Sequence, residues 1–98
     1  MIAGFLNLQS FNNGTIKSVS VFAQEDATGG TETIKFDIVG ELHSVDVSFA
    51  TGQGQVVTVA HTAKGQGLVT VTAVNSPHSA KKILNVDKQP GDKGTAAP

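Results

Sequence analysis

Ser44-Val45-Asp46-Val47-Ser48-Phe49, then Gln55-Val56-Val57-Thr58-Val59-Ala60-His61-Thr62, then Gly67-Leu68-Val69-Thr70-Val71-Thr72-Ala73-Val74 write polar and apolar residues in close alternation, and Lys81-Lys82-Ile83-Leu84-Asn85-Val86 extends the pattern. A period of two sends successive side chains to opposite faces of a strand, so each run reads as an antiparallel strand with one buried face. Gly52, Gly54 and the Lys64-Gly65-Gln66-Gly67 stretch separate the first three runs, and Asn75-Ser76-Pro77-His78-Ser79 marks a turn before the last. The inward sets are Val45, Val47 and Phe49; Val57 and Val59; Val69, Val71 and Ala73; and Leu84 and Val86.

Working outward, Thr15 to Ala23 offers Val19, Val21 and Ala23 to one face, and Glu32 to Val39 offers Ile34, Phe36 and Ile38. A loop over Gln24 to Thr31, with Gly29 and Gly30, joins them, and Asn12-Asn13-Gly14 supplies residues tolerant of positive φ for an earlier turn. Met1 to Phe11 is too apolar to float free and too short for an isolated helix, which makes it an N-terminal arm or first strand. About seven strands at turn spacings of roughly 8 to 12 residues predict an all-β antiparallel sandwich or small barrel, of which the sandwich is the expected one. The expected organisation is an arm or first strand over 1–14, a sandwich over 15–87 and a flexible tail over 88–98, whose Lys-Gln-Pro-Gly-Asp-Lys-Gly-Thr-Ala-Ala-Pro has no large apolar residue.

With 98 residues the chain holds one core. Charged residues make up 15% of it, against roughly 25% in an average soluble domain, so neutral polar residues dress the surface. Its lysines are unaccompanied by arginine and the formal charge is -1, which argues against a phosphate-reading basic patch, and the absence of tyrosine and tryptophan removes the usual stacking platforms for bases or sugars. Without cysteine there is no disulfide, thiolate metal site or thiol nucleophile. Met1 to Phe11 lacks a basic start and is interrupted by Gly4, Asn7 and Gln9, making a poor signal peptide, and no window approaches the roughly 20 apolar residues of a membrane span. A soluble chain without a cleaved signal of its own is expected, with no nucleic-acid or membrane partner.

From Val47 onward the residues resemble immunoglobulin-like modules of the polycystic kidney disease repeat type. Val47 to Gly52 stands where that family has Trp-Asp-Phe-Gly-Asp-Gly, keeping Phe49 and Gly52. His61 to Ser76 runs in register with the family's later strands, keeping His61, Gly67, Val71 and Asn75. Val47 stands for the tryptophan, Ser48 and Thr51 for the two aspartates, Ala63 and Val69 for the two tyrosines, and Gln66 for the proline. The resemblance implies an immunoglobulin-like fold over about residues 44–86 and brings no ligand site.

Candidate chemistry is sparse. His61 falls on an inner face, where a neutral imidazole bonded to backbone or hydroxyl is expected. His43 and His78 are expected in turns, and no histidine pair has zinc-ligand spacing. Glu25, Asp26 and Glu32 flank the Gly29-Gly30 loop but lack the Asp-x-Asp-x-Asp spacing of a calcium loop, so a solvated hairpin is expected. Asp37 and Asp46 lie on the faces opposite the hydrophobics and point to solvent, not to each other as an acid and base. No Gly-x-Ser-x-Gly elbow occurs, and the glycine-rich connections lack the helix and Lys-Ser or Lys-Thr ending of a phosphate cradle. No cofactor, metal or catalytic residue is therefore expected.

What remains is a binding or structural module. The apolar segment bearing Ile2, Phe5, Leu6, Leu8 and Phe11 is the expected partner-binding element, since strand-like arms gain affinity from main-chain pairing. Such small domains look like those carried on tailed bacteriophage particles, a likeness that implies a virion structural role, capsid decoration first, in a homo- or hetero-oligomeric assembly with the major capsid or another virion protein. The alternative is a bacterial cell-surface or extracellular module that binds glycan or spaces domains.

Overall fold

The structure is a computed structural model and describes residues 1–13, 16–26 and 28–87. The tail expected over 88–98 and Gly14 of the expected first turn lie outside the described residues. Seven strands follow one another: β1 (Ile2–Asn13), β2 (Ile16–Glu25), β3 (Gly30–Ile38), β4 (Glu41–Phe49), β5 (Gln55–His61), β6 (Gln66–Ala73) and β7 (Ser79–Asn85). They form a three-stranded sheet in the order β1-β2-β5 and a four-stranded sheet in the order β4-β3-β6-β7. All pairings are antiparallel. With β5 returning beside β2 and β6 beside β3, this is an immunoglobulin-like Greek-key sandwich.

The alternation read from the sequence is what closes it. Val19, Val21 and Ala23 of β2 and Val57 of β5 face Ile34, Phe36 and Ile38 of β3 and Val69, Val71 and Ala73 of β6, all buried. The central strands are the most completely covered, because a neighbour on each side and a sheet opposite exclude water from them. Leu84 of β7 and the following Val86 close one flank.

The N-terminal segment, expected as arm or first strand, is β1. Ile2 pairs opposite Glu25 and Asn13 opposite Ile16, with register shifts at Ile2/Gly4 and Leu6/Gln9. Asn7, at φ 59°, sits in the second shift. That bulge turns Leu8 into the core, where it and Ile2 are buried, and leaves Leu6 and Phe11 exposed.

Val39 and Gly40 form the two-residue connection of the β3–β4 hairpin, at φ 50° and 91°. Two successive positive φ angles match the twist of a tight hairpin, but a β-branched residue adopts that conformation at a cost. Val39 is held there by packing: it lies against the core cluster, and its methyl sits where a side chain on Gly67 would go.

Gly54 serves the opposite sheet. A Cβ on it would come within 2.4 Å of the Phe22 ring and 2.7 Å of the Ala23 carbonyl. Glycine there lets the ring lie flat against the start of β5. Gly54→Ala is expected to destabilise the fold by about 1–3 kcal/mol, measured as a shift of the urea midpoint at unchanged slope.

Candidate functional site

Where the sequence suggested a solvated loop, the β2–β3 connection forms a clasp for a cation. The α-ammonium of Met1 donates to Glu25 Oε1 at 2.6 Å and Thr28 Oγ1 at 2.7 Å, and it pairs with Glu32 Oε2 at 2.9 Å. Asp26 Oδ1 accepts a longer bond from the same ammonium at 3.3 Å. Glu25 also accepts from the Gly29 N–H at 3.0 Å, while the Thr28 hydroxyl and N–H both donate to Asp26, at 2.7 and 2.9 Å.

The expectation for these carboxylates is corrected: Glu25 and Glu32 are buried. Both sit at inward register positions, where a carboxylate is tolerated only when paired. The ammonium supplies that pairing charge. The Glu25 carboxylate, then burial acting against it, then Glu32 set the amine's affinity for its proton, and the balance raises its pKa from 8.0 to about 10. Asp26 is held well below the usual carboxylate range, mainly by the Thr28 hydroxyl and N–H.

A second polar group closes the far end of the sandwich. Glu41 accepts from the Thr62 N–H at 3.1 Å and hydroxyl at 2.7 Å, and its other oxygen meets His43 Nε2 at 2.5 Å. Those Thr62 contacts, followed by His43, lower the Glu41 pKa to about 2. His43 is thus near the start of β4, not in a turn, because the Val39-Gly40 hairpin turns the chain before it. His78 precedes β7 and is exposed.

His61 ends β5 on the inner face, 7% exposed. Neither ring nitrogen makes a well-formed hydrogen bond among the described residues, and the Ala63 backbone is the partner that favours the protonated ring. Burial pushes its pKa down, with the Glu41 charge pulling the other way. Asp37 and Asp46 do face outward, Asp37 accepting from the Gly40 N–H at 2.9 Å and Asp46 from the Thr33 hydroxyl at 2.7 Å.

Among the described residues no group of three or more metal-ligating side chains is placed to hold an ion. A shallow groove of about 520 Å³ crosses the outer face of the four-stranded sheet between Lys35, Asp37, Leu42, Ser44, Thr70 and Thr72. Lys35 and Asp37 lie two positions apart on β3 in this groove, Asp37 held by the Gly40 N–H, and His43 of β4 also lines it.

The outer face of the three-stranded sheet is different in character. Leu6 pairs opposite Phe22, and Phe22 opposite Val56, so one apolar row crosses all three strands. Leu6 is 61% and Val56 62% exposed, and Phe11 and Ile16 lie exposed toward the other end of the same face. Of the residues expected to bind a partner, Ile2 and Leu8 are committed to the chain's own core, Phe5 packs against it, and Leu6 and Phe11 stay on the surface. Phe22 and Val56 went unnoticed in the sequence because each sits beside an inward residue and reads as part of a hydrophobic strand. No protein-family model, curated protein or solved structure matches the chain.

Two titrations follow. The clasp contributes stability that is fully present below pH 8.0 and is lost as pH rises through about 10 and the amine gives up its proton. Melting followed by circular dichroism is expected to show the midpoint dropping across that window, and Glu25→Gln to flatten the drop. His61 behaves oppositely: its proton affinity is depressed on folding, so stability is present above the ordinary histidine pKa of 6.5 and is lost as pH falls below it. His61→Leu removes the buried titrating ring and is expected to reduce that acid loss. Melting points of this variant and the parent at pH 5 and pH 8 test it.

Proposed function

We propose that the chain is a non-enzymatic structural module of a virus particle, a bacteriophage capsid decoration or head and tail accessory protein, that docks through the outer face of its three-stranded sheet. The observation that carries the docking is the Leu6–Phe22–Val56 row with Phe11 and Ile16 beside it. Contiguous exposed apolar surface on a small domain is costly in water and marks a surface that is covered in use. The particle assignment rests on the likeness of the fold to domains carried on tailed phages. A particle surface is a repeating lattice, and a neutral, rigid sandwich can occupy each copy with one small face. The partner is the major capsid or another virion protein.

Deleting Met1 to Phe11 is not a usable test, because Ile2 and Leu8 hold the core. Leu6→Glu with Val56→Glu places two charges in the apolar row at exposed positions, where the fold tolerates them. Binding to purified capsids assembled without the chain is expected to fall by about tenfold or more, with the melting point little changed. Unchanged binding would remove the face from the interface. If the parent chain itself fails to bind capsids but binds bacterial cells or glycan, the cell-surface alternative replaces the virion reading.

A further inference from the structure

The outer face of the three-stranded sheet carries no charge. Register aligns its outward side chains in rows across β1, β2 and β5: Leu6–Phe22–Val56, then Gln9–Ser20–Thr58, then Phe11–Ser18–Ala60, with Ile16 beyond the last. None of these is a lysine, histidine or carboxylate. The charged residues of β2, Lys17 and Glu25, fall at inward positions opposite His61 and Ile2.

A partner of a different kind can match a charged face with opposite charges, but a second copy meets the face with the face itself. A two-fold interface therefore has to be compatible with its own image. An axis running along β2, in the plane between two such sheets, lays β1 of each copy over β5 of the other, so that every row meets the same row reversed. Leu6 then lies on Val56, and Phe22 on Phe22. The bulky Phe11 falls on the small Ala60, and Gln9 on Thr58, where amide and hydroxyl can each donate and accept. Sheets stack face to face in this aligned way about 10 Å apart.

The outer face of the four-stranded sheet does not survive the same reversal. Its row Leu42–Asp37–Thr70–Lys81 would set Lys81 on Leu42 and Asp37 on Thr70. Both charges would lose water without gaining an opposite charge.

We propose that two copies of the chain pair face to face through β1, β2 and β5 in a weak, reversible two-fold dimer. Three strands about 4.8 Å apart, covered over about 20 Å from Phe22 to Ile16, bury on the order of 400 Å² a side, about half of a standard interface. A dissociation constant on the order of 0.1 mM follows for an area of that size. The inference rests on the reading of this face as a docking surface and adds its regulation: a second copy covers the apolar rows when the chain is free and concentrated, and the second copy and the capsid exclude each other.

Sedimentation equilibrium of the full chain from about 10 µM to about 1 mM is expected to show monomer passing to dimer and no further. Shifts recorded over the same range are expected to move at Leu6, Phe11, Phe22, Val56 and Ala60, and to stay fixed at Leu42 and Thr70. Leu6→Lys sets a charge on Val56 of the other copy and is expected to weaken the dimer about tenfold or more, while Thr72→Lys on the other sheet leaves it unchanged. The parent's own concentration series decides the matter should Leu6→Lys fail to fold. A nitroxide on Thr58→Cys, the sole thiol of that variant, mixed with isotope-enriched parent, is expected to broaden Gln9 more than Thr58. Broadening strongest on β5, shifts confined to the four-stranded sheet, or growth beyond a dimer overturns the proposal. So does a chain that stays monomeric at millimolar concentration, whether or not it binds capsids. A chain that dimerises in this way but ignores capsids upholds the proposal and removes the virion reading instead.

Discussion

Everything in this molecule depends on the contact between two inner faces built almost wholly from small and β-branched apolar residues. Val19, Val21 and Val57 on one side and Ile34, Phe36, Val69 and Val71 on the other exclude water from the middle of the sandwich. The burial of that apolar area is the favourable term that offsets the entropy of ordering the strands. Phe36 is the largest side chain fully enclosed. With no tryptophan and no disulfide available, the sheets are held by complementarity of modest side chains, which explains why glycines appear at close contacts. Gly54 beside the Phe22 ring and Gly67 beside Val39 each leave room that a Cβ would fill.

Charge is handled by pairing at the ends. The clasp at one end gathers Glu25, Asp26 and Glu32 around a single ammonium, and Glu41 at the other engages Thr62 and His43. Each fastens elements distant in sequence: the clasp ties the start of β1 to the β2–β3 connection, and Glu41 ties the start of β4 to the end of β5. Buried carboxylates are strong constraints because an unpaired one is so unfavourable. Their effect is to define the ends of the sandwich more sharply than apolar packing, which is non-directional, could do.

Two surfaces are then left without a role in stability. The apolar row on the outer face of the three-stranded sheet and the edge of β5 meet at Val56 yet are suited to different contacts. A face covers area, and an edge forms directional main-chain bonds. Both belong to the narrower sheet, while the four-stranded sheet presents charged and hydroxyl side chains over most of its outer surface.

The sequence by itself determined the strands, their inward residues and the sandwich, because a period of two is a local property that survives in any antiparallel arrangement. Val19, Val21, Ile34, Phe36, Val69 and Val71 were all legible in this way, as were the outward Asp37 and Asp46. The clasp was not, because Glu25 and Glu32 become neighbours of Met1 only when β1 lies against β2, a contact spanning more than twenty positions. His43 was displaced from its expected turn because a tight hairpin at Val39-Gly40, with valine at positive φ, is stabilised by packing on Gly67 and not by local preference. The apolar row was hidden for the same reason, since Leu6, Phe22 and Val56 come from three strands and are aligned by register alone. Which side of the sandwich has three strands and which has four was decided only by tertiary structure, because strand order in a sheet is a matter of long-range pairing and has no local signature.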